Sequence, residues 1–276
     1  MHSAIEKHFP VTQQGMAMAF VLVLVLLTVT VWILSLDSLD TYREDAHVQQ
    51  EQQIYLQGVQ AALENWYEQH AATVDASVAP VNVAPVLPIL GFPLKWHVTG
   101  ASSNRLVKGD IAYHVFMVWI PGNVSRPAVL DASTGIFTPG SSTGYERVDG
   151  FIIESGLVQH TTQTLQKDAN HLQEWFKAKV LQDGQHQVNW NHFRAQDCSE
   201  AEPDEMPCMD SYVALSQSGV KALAGLGAAD ESDGWGNPVQ ASNLADSSTL
   251  APPYSMALKS VTPWGDSIRI FATQPL

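Results

Sequence analysis

The sequence predicts an α+β protein: a long N-terminal helix with a transmembrane first half, packed on an antiparallel β-sheet domain that carries an additional helix. Three observations predict it. Residues 16–35 read MAMAFVLVLVLLTVTVWILS, within a stretch between Lys7 and Asp37 that holds no Lys, Arg, Asp or Glu. Beyond that stretch, Leu56, Val59, Leu63 and Trp66 recur at spacings of three and four, the pattern of an amphipathic helix. The chain then turns to β-branched and aromatic runs, returns once to helical spacing and ends in strands.

The apolar run is long enough for a ~30 Å hydrocarbon core. It is too long for a cleaved secretory signal, whose apolar region runs ~7–15 residues. It is therefore expected to stay as a single-pass membrane anchor. Lys7 precedes the run, and Asp37, Asp40, Glu44 and Asp45 follow it. The positive-inside rule then places the N-terminus in the cytoplasm and the globular domain on the exported side. Residues 37–73 contain no Pro, and their only Gly is Gly58. The run and the amphipathic stretch are thus expected to form one helix over residues 17–73, roughly 85 Å long.

Pro80, Pro85, Pro88 and Pro93 mark an extended, proline-rich linker. Residues 95–153 read as strands. Among them, 111–120 (IAYHVFMVWI) closes at Pro121-Gly122, and 128–131 with 136–137 flank a Ser-Thr-Gly turn as a hairpin. Residues 157–182 return to helical spacing through Leu165, Leu172, Phe176 and Val180, and Asp183-Gly184 ends that helix. Near the C-terminus, Asp233-Gly234-Trp235-Gly236-Asn237-Pro238 and Pro263-Trp264-Gly265-Asp266 read as tight turns. In each, Gly supplies positive φ and Trp covers the turn. Residues 254–259 and 267–273 can pair across the second turn.

The 276 residues carry 14 Lys and Arg against 28 Asp and Glu, a formal net charge of −14. That balance excludes the basic footprint of a nucleic-acid binder and a polybasic patch for anionic lipid. Cys198 and Cys208 are the only cysteines, with nine residues between them. An even count in an exported chain reads as a disulfide, ahead of free thiols or a metal site. The same loop carries Asp197, Glu200, Glu202, Asp204, Glu205 and Asp210. It reads as a solvated acidic loop, with Ca²⁺ binding as the alternative, and it lacks the spacing and central Gly of an EF-hand. Asp230-Glu231-Ser232-Asp233 carries the same pair of readings. Residues 140–144 match G-x-S-x-G around Ser142. A nucleophile elbow needs a strand before it and a helix after it, and here Tyr145-Glu146-Arg147-Val148 reads as a strand. His186 and His192 fit no metal-ligand spacing. Neither an enzyme nor a cofactor is expected.

Gln13-Gln14-Gly15, followed by Met16-Ala17-Met18-Ala19-Phe20 and the long apolar helix, resembles the type IV pilin-like family, which includes pilins and the pseudopilins of type II secretion. The Asp-X-Trp-Gly-X-Pro segment at 233–238 resembles a segment of pseudopilin globular domains. The resemblance implies a leader peptide over 1–15, cleaved between Gly15 and Met16 by a prepilin peptidase, and methylation of the Met16 amine. With the pattern read above, the chain divides into that leader, a helix over 16–73, a linker over 74–94 and an exported α+β domain over 95–276, and the resemblance implies a bacterial inner-membrane anchor with that domain in the periplasm or on an extracellular filament. The implied function is a structural minor pilin or pseudopilin in a type IV pilus or secretion pseudopilus. Its partners are other pilins through the N-terminal helix, the prepilin peptidase and the inner membrane, and not nucleic acid. Family members usually carry Glu at the fifth mature position, where this chain has Phe20. That Glu pairs with a neighbour's amine inside an apolar core, so its absence suits a subunit at the tip. The alternative reading is an uncleaved, single-pass anchored protein with an exported binding domain.

Overall fold

A computed structural model describes residues 11–90, 96–184, 188–199, 202–245 and 251–275; within the first helix, residues 11–22 and 33–45 enter as backbone only. In chain order the elements are α1 (Val11–Val74), β1 (Thr99–Ser102), β2 (Leu106–Lys108), β3 (Ile111–Tyr113), β4 (Val115–Ile120), β5 (Val129–Leu130), β6 (Phe137–Thr138) and β7 (Gly144–Asp149). They continue as α2 (Gly150–Gln182), β8 (Val213–Ala214), α3 (Val220–Ala224), β9 (Gln240–Ser242), β10 (Ser255–Val261) and β11 (Ser267–Thr273). The chain divides into two compact units, Met1–Tyr55 and Leu56–Leu276.

The membrane-crossing expectation is corrected. Among the described residues no helix is long and apolar enough to cross a membrane. Helix α1 runs on unbroken through Asp37, Asp40, Arg43, Glu44 and Asp45. The expected single-pass placement in an inner membrane, with a cytoplasmic N-terminus and a periplasmic domain, falls with it. The expected β-sheet domain is corrected too. It is built from several antiparallel sheets: β1-β4-β7, β11-β10-β9-β8, and the ribbons β2-β3 and β5-β6.

In the second unit, the end of α1 buries Leu56, Val59, Leu63, Tyr67, Ala71 and Val74 on one stripe. Ile54 is exposed and Trp66 half-buried. All six residues of β4 are buried because both faces of this central strand are covered. Phe116 meets Tyr67 and Trp66, with ring centroids 5.2 and 6.3 Å apart. Val115, Met117 and Trp119 point the other way and pack with Leu130 and Phe137 of the small ribbon. A strand covered on both faces needs no polar alternation, which is why 115–120 reads as a continuous apolar run. His114 separates β3 from β4. Its ring contacts the carbonyl oxygens of Ser103 and Ser77, at 2.8 and 3.1 Å.

Helix α2 starts at Gly150, seven residues before the start expected at 157. Asp149 caps it, accepting a hydrogen bond from Phe151 N at 3.1 Å. Ile152 and Ile153 gave this first turn a strand-like composition, and the cap overrides it. Gly150 is required there, because a Cβ would lie 2.2 Å from His114 O and 2.6 Å from the Tyr67 ring. Leu165, Leu172 and Phe176 of α2 form the second core with Phe193, Met206, Leu215, Val239, Met256 and Leu258. The proline-rich segment is packed: Val83 and Val86 are buried, and Ser102 Oγ bonds Val81 N and O at 2.6 and 3.0 Å.

Candidate functional site

Two features of the described residues carry chemistry beyond ordinary packing. One is an apolar helix surface in the first unit. The other is a buried polar node in the second.

Along α1, Val23, Leu24, Val25, Leu26, Leu27, Val29 and Val31 are 47–63% exposed. Seven large aliphatic side chains in nine positions cover a helix all the way round, because successive residues turn by about 100°. Such a helix has no polar face to offer water. Thr28 and Thr30 turn their hydroxyls back on the helix, to Val25 O at 2.9 Å and to Leu26 O, so they do not create one. Gly15 and Met16 lie within α1 as backbone, and the side chains of Met16 and Phe20 are outside the described residues, as is all of 1–10.

The node centres on the turn at 233–238. Asp233 Oδ1 accepts from Trp235 N and Asn237 N at 2.9 and 2.8 Å, and its Oδ2 accepts from Ser260 Oγ at 2.5 Å. One carboxylate thus closes the turn and ties it to β10. Gly236 and Gly265 adopt φ of 79° and 98°, and the indoles of Trp235 and Trp264 meet edge to face at 5.5 Å. Trp235 Nε1 donates to Glu154 Oε2 of α2 at 2.7 Å. Opposite it, Tyr67 OH donates to Asp75 Oδ1 at 2.7 Å. Glu154 and Asp75 are both fully buried, and their remaining oxygens, Glu154 Oε1 and Asp75 Oδ2, have no hydrogen-bond partner among the described residues. The two carboxyl groups are neighbours, and repulsion between two buried carboxylates favours a protonated form of the pair. Burial raises Glu154 far above the carboxylate range, and Asp75 beside it adds to the rise while Trp235 opposes it. Burial raises Asp75 as well. The pair is enclosed, so it joins α1, α2 and the C-terminal turn without meeting a substrate.

The structure joins Cys198 and Cys208 in a disulfide with an S–S distance of 2.02 Å. The acidic loop that they close draws cations from outside itself. Lys179 Nζ lies 3.0 Å from Asp204, and Arg194 lies 3.4 Å from Asp210. Asp197 caps Ser199, and Glu200 is outside the described residues. Asp230 pairs with Lys167 at 2.7 Å and Glu231 with Lys221, while Asp233 closes its turn. These carboxylates turn to separate partners, and no group of three or more potential metal ligands converges among the described residues. Ser142 sits in the turn between β6 and β7, so a strand follows it, not the helix of a nucleophile elbow. His192 packs edge-on against Phe176 at 5.2 Å, and His186 is outside the described residues.

The chain matches no family model, no curated protein and no solved structure. The pilin-like resemblance therefore stands on the residues that carry it. Sequence reasoning missed Asp75, Glu154 and Tyr67. The available signal was Trp235: a covered indole needs an acceptor for its N–H.

Proposed function

We propose that this chain is a structural subunit of a pilin-like filament, assembled by packing residues 16–34 of its helix against the equivalent helices of neighbouring subunits. The observation that carries the reading is the all-round apolar surface of residues 23–31. Each of those aliphatic side chains is about half exposed. Burying the rest is worth ~1 kcal/mol apiece, or several kcal/mol per subunit before the costs of association. An apolar core made of such helices has no use for a lone carboxylate, and Phe20 brings none. A position at the tip or in priming fits that residue. A prepilin peptidase cutting between Gly15 and Met16 would free the helix for assembly. The globular unit would then decorate or cap the fibre.

The test is incorporation. Leu24→Lys and Leu27→Lys place a charge on the packing surface and leave the second unit untouched. Both variants should accumulate in cells at the normal level and be lost from sheared filaments. Normal incorporation of both would refute the reading.

A further inference from the structure

The second unit carries a groove that no part of the filament reading uses. It is about 640 Å³ in volume, set between the end of α1 and the first turns of α2. Gln60, Glu64 and Glu68 line it from α1, and Ile152, Gly156 and Leu157 line it from α2. Three features point to an occupant.

The first is charge. Among the described residues neither Glu64 nor Glu68 has a Lys or Arg partner. Arg147, the cation at the groove, is taken by Asp149 at 3.3 Å. His160 also lines the groove. Gln60 Nε2 donates to Glu64 Oε1 at 3.1 Å and to Arg147 O at 3.0 Å, which holds the Glu64 carboxylate in place. Glu146 stands close enough to Glu64 for the repulsion to raise it, after burial. The second is apolar surface: Ile152 is 71% exposed beside these acids. The third is Gly156. It lies inside a regular helix, where Gly costs ~1 kcal/mol relative to Ala. A Cβ built on it would meet nothing within 4 Å, so packing within the chain does not require glycine. Close approach of another backbone would.

We propose that this groove docks an extended segment of a partner protein, with a lysine or arginine on Glu64 and Glu68, aliphatic side chains on Ile152 and Leu157, and its backbone over Gly156. An acidic rim over an aliphatic floor selects that composition and repels an acidic segment.

The experiment uses the full chain and two fluorescein-labelled capped peptides, Leu-Lys-Ile-Lys-Leu and Leu-Glu-Ile-Glu-Leu, read by anisotropy. The basic peptide should bind saturably, more weakly as salt rises, and the acidic peptide should not bind. Gly156→Leu fills the groove and removes a helical glycine. It should raise thermal stability and weaken the basic peptide by about tenfold or more. Glu64→Gln combined with Glu68→Gln should weaken it comparably and flatten the salt dependence. Ile152→Ser, at an exposed position, is the second probe of the floor and should also weaken binding. Equal binding of the two peptides, no binding of either, or unchanged affinity in folded Gly156→Leu and Ile152→Ser would overturn the proposal.

Discussion

Glu154→Gln should make the protein more stable at alkaline pH, an unusual result for a substitution at a fully buried polar side chain. Trp235 Nε1 donates to one Glu154 oxygen, and Asp75 faces the other. Glutamine keeps the acceptor for Trp235 and turns a neutral amide toward Asp75 in place of a carboxyl, at nearly the same volume. In the folded protein burial, then Asp75, pushes Glu154 from 4.5 up to about 9. Between those two values the folded state keeps a proton that the unfolded chain has released. Stability therefore falls as pH rises through the window, by at most ~1.4 kcal/mol per pH unit, and levels off above it. Relaxation of the pair and water entry reduce the total to a few kcal/mol. Glutamine removes this proton. The variant should match the native protein near pH 4.5 and exceed it by about 1–3 kcal/mol at pH 8–9. Urea unfolding at pH 4.5, 6.5 and 8.5, followed by tryptophan fluorescence, reads the difference. A stability difference that stays constant across that range would show that folded Glu154 does not keep its proton above the ordinary carboxylate range.

Asp168 on α2 is fully buried with neither oxygen hydrogen-bonded among the described residues, and burial, then Asp230, pushes it up to about 7 against the pull of Lys167. Its penalty grows as pH rises from 3.8 to that value, so Asp168→Asn should gain about 1–2 kcal/mol at pH 8 and nothing near pH 4, by the same unfolding assay. Replacing both Cys198 and Cys208 by serine opens a short loop and should cost about 2–3 kcal/mol. Alkylation of the native protein without reductant should label neither cysteine. Phe20→Glu places a carboxylate in the proposed filament core without an amine partner, so the amount of subunit in purified filaments should stay level or fall. A clear rise would place the subunit within the shaft.

The parts of the fold legible in the sequence are those fixed by local pattern. Leu56, Val59 and Leu63 mark a buried helix stripe by spacing alone. The run 111–120 marks strand, though the structure divides it at His114 into β3 and β4, and Gly236 and Gly265 mark turns that need positive φ. The C-terminal hairpin pairs Val261 with Ser267 across the second of these turns. What was not legible depends on partners distant in the chain. Ile152 and Ile153 suggest a strand until Asp149 is seen as a helix cap. Lys179 and Arg194 neutralise two carboxylates of a loop that contains no cation of its own. Asp75 and Glu154 carry no local signature, because topology alone brings the end of α1 beside the start of α2. The apolar run in α1 suggested a membrane span by composition. Among the described residues it does not reach one.

The central claim is that residues 16–34 form a filament-packing helix released by cleavage after Gly15. The most direct measurement is the mass of this subunit in purified filaments, set beside its mass in cells that lack a prepilin peptidase. The account predicts a chain beginning at Met16 in the filaments and an intact chain, absent from filaments, without the peptidase. A subunit that keeps residues 1–15 in both cells and never enters the filament fraction would contradict it.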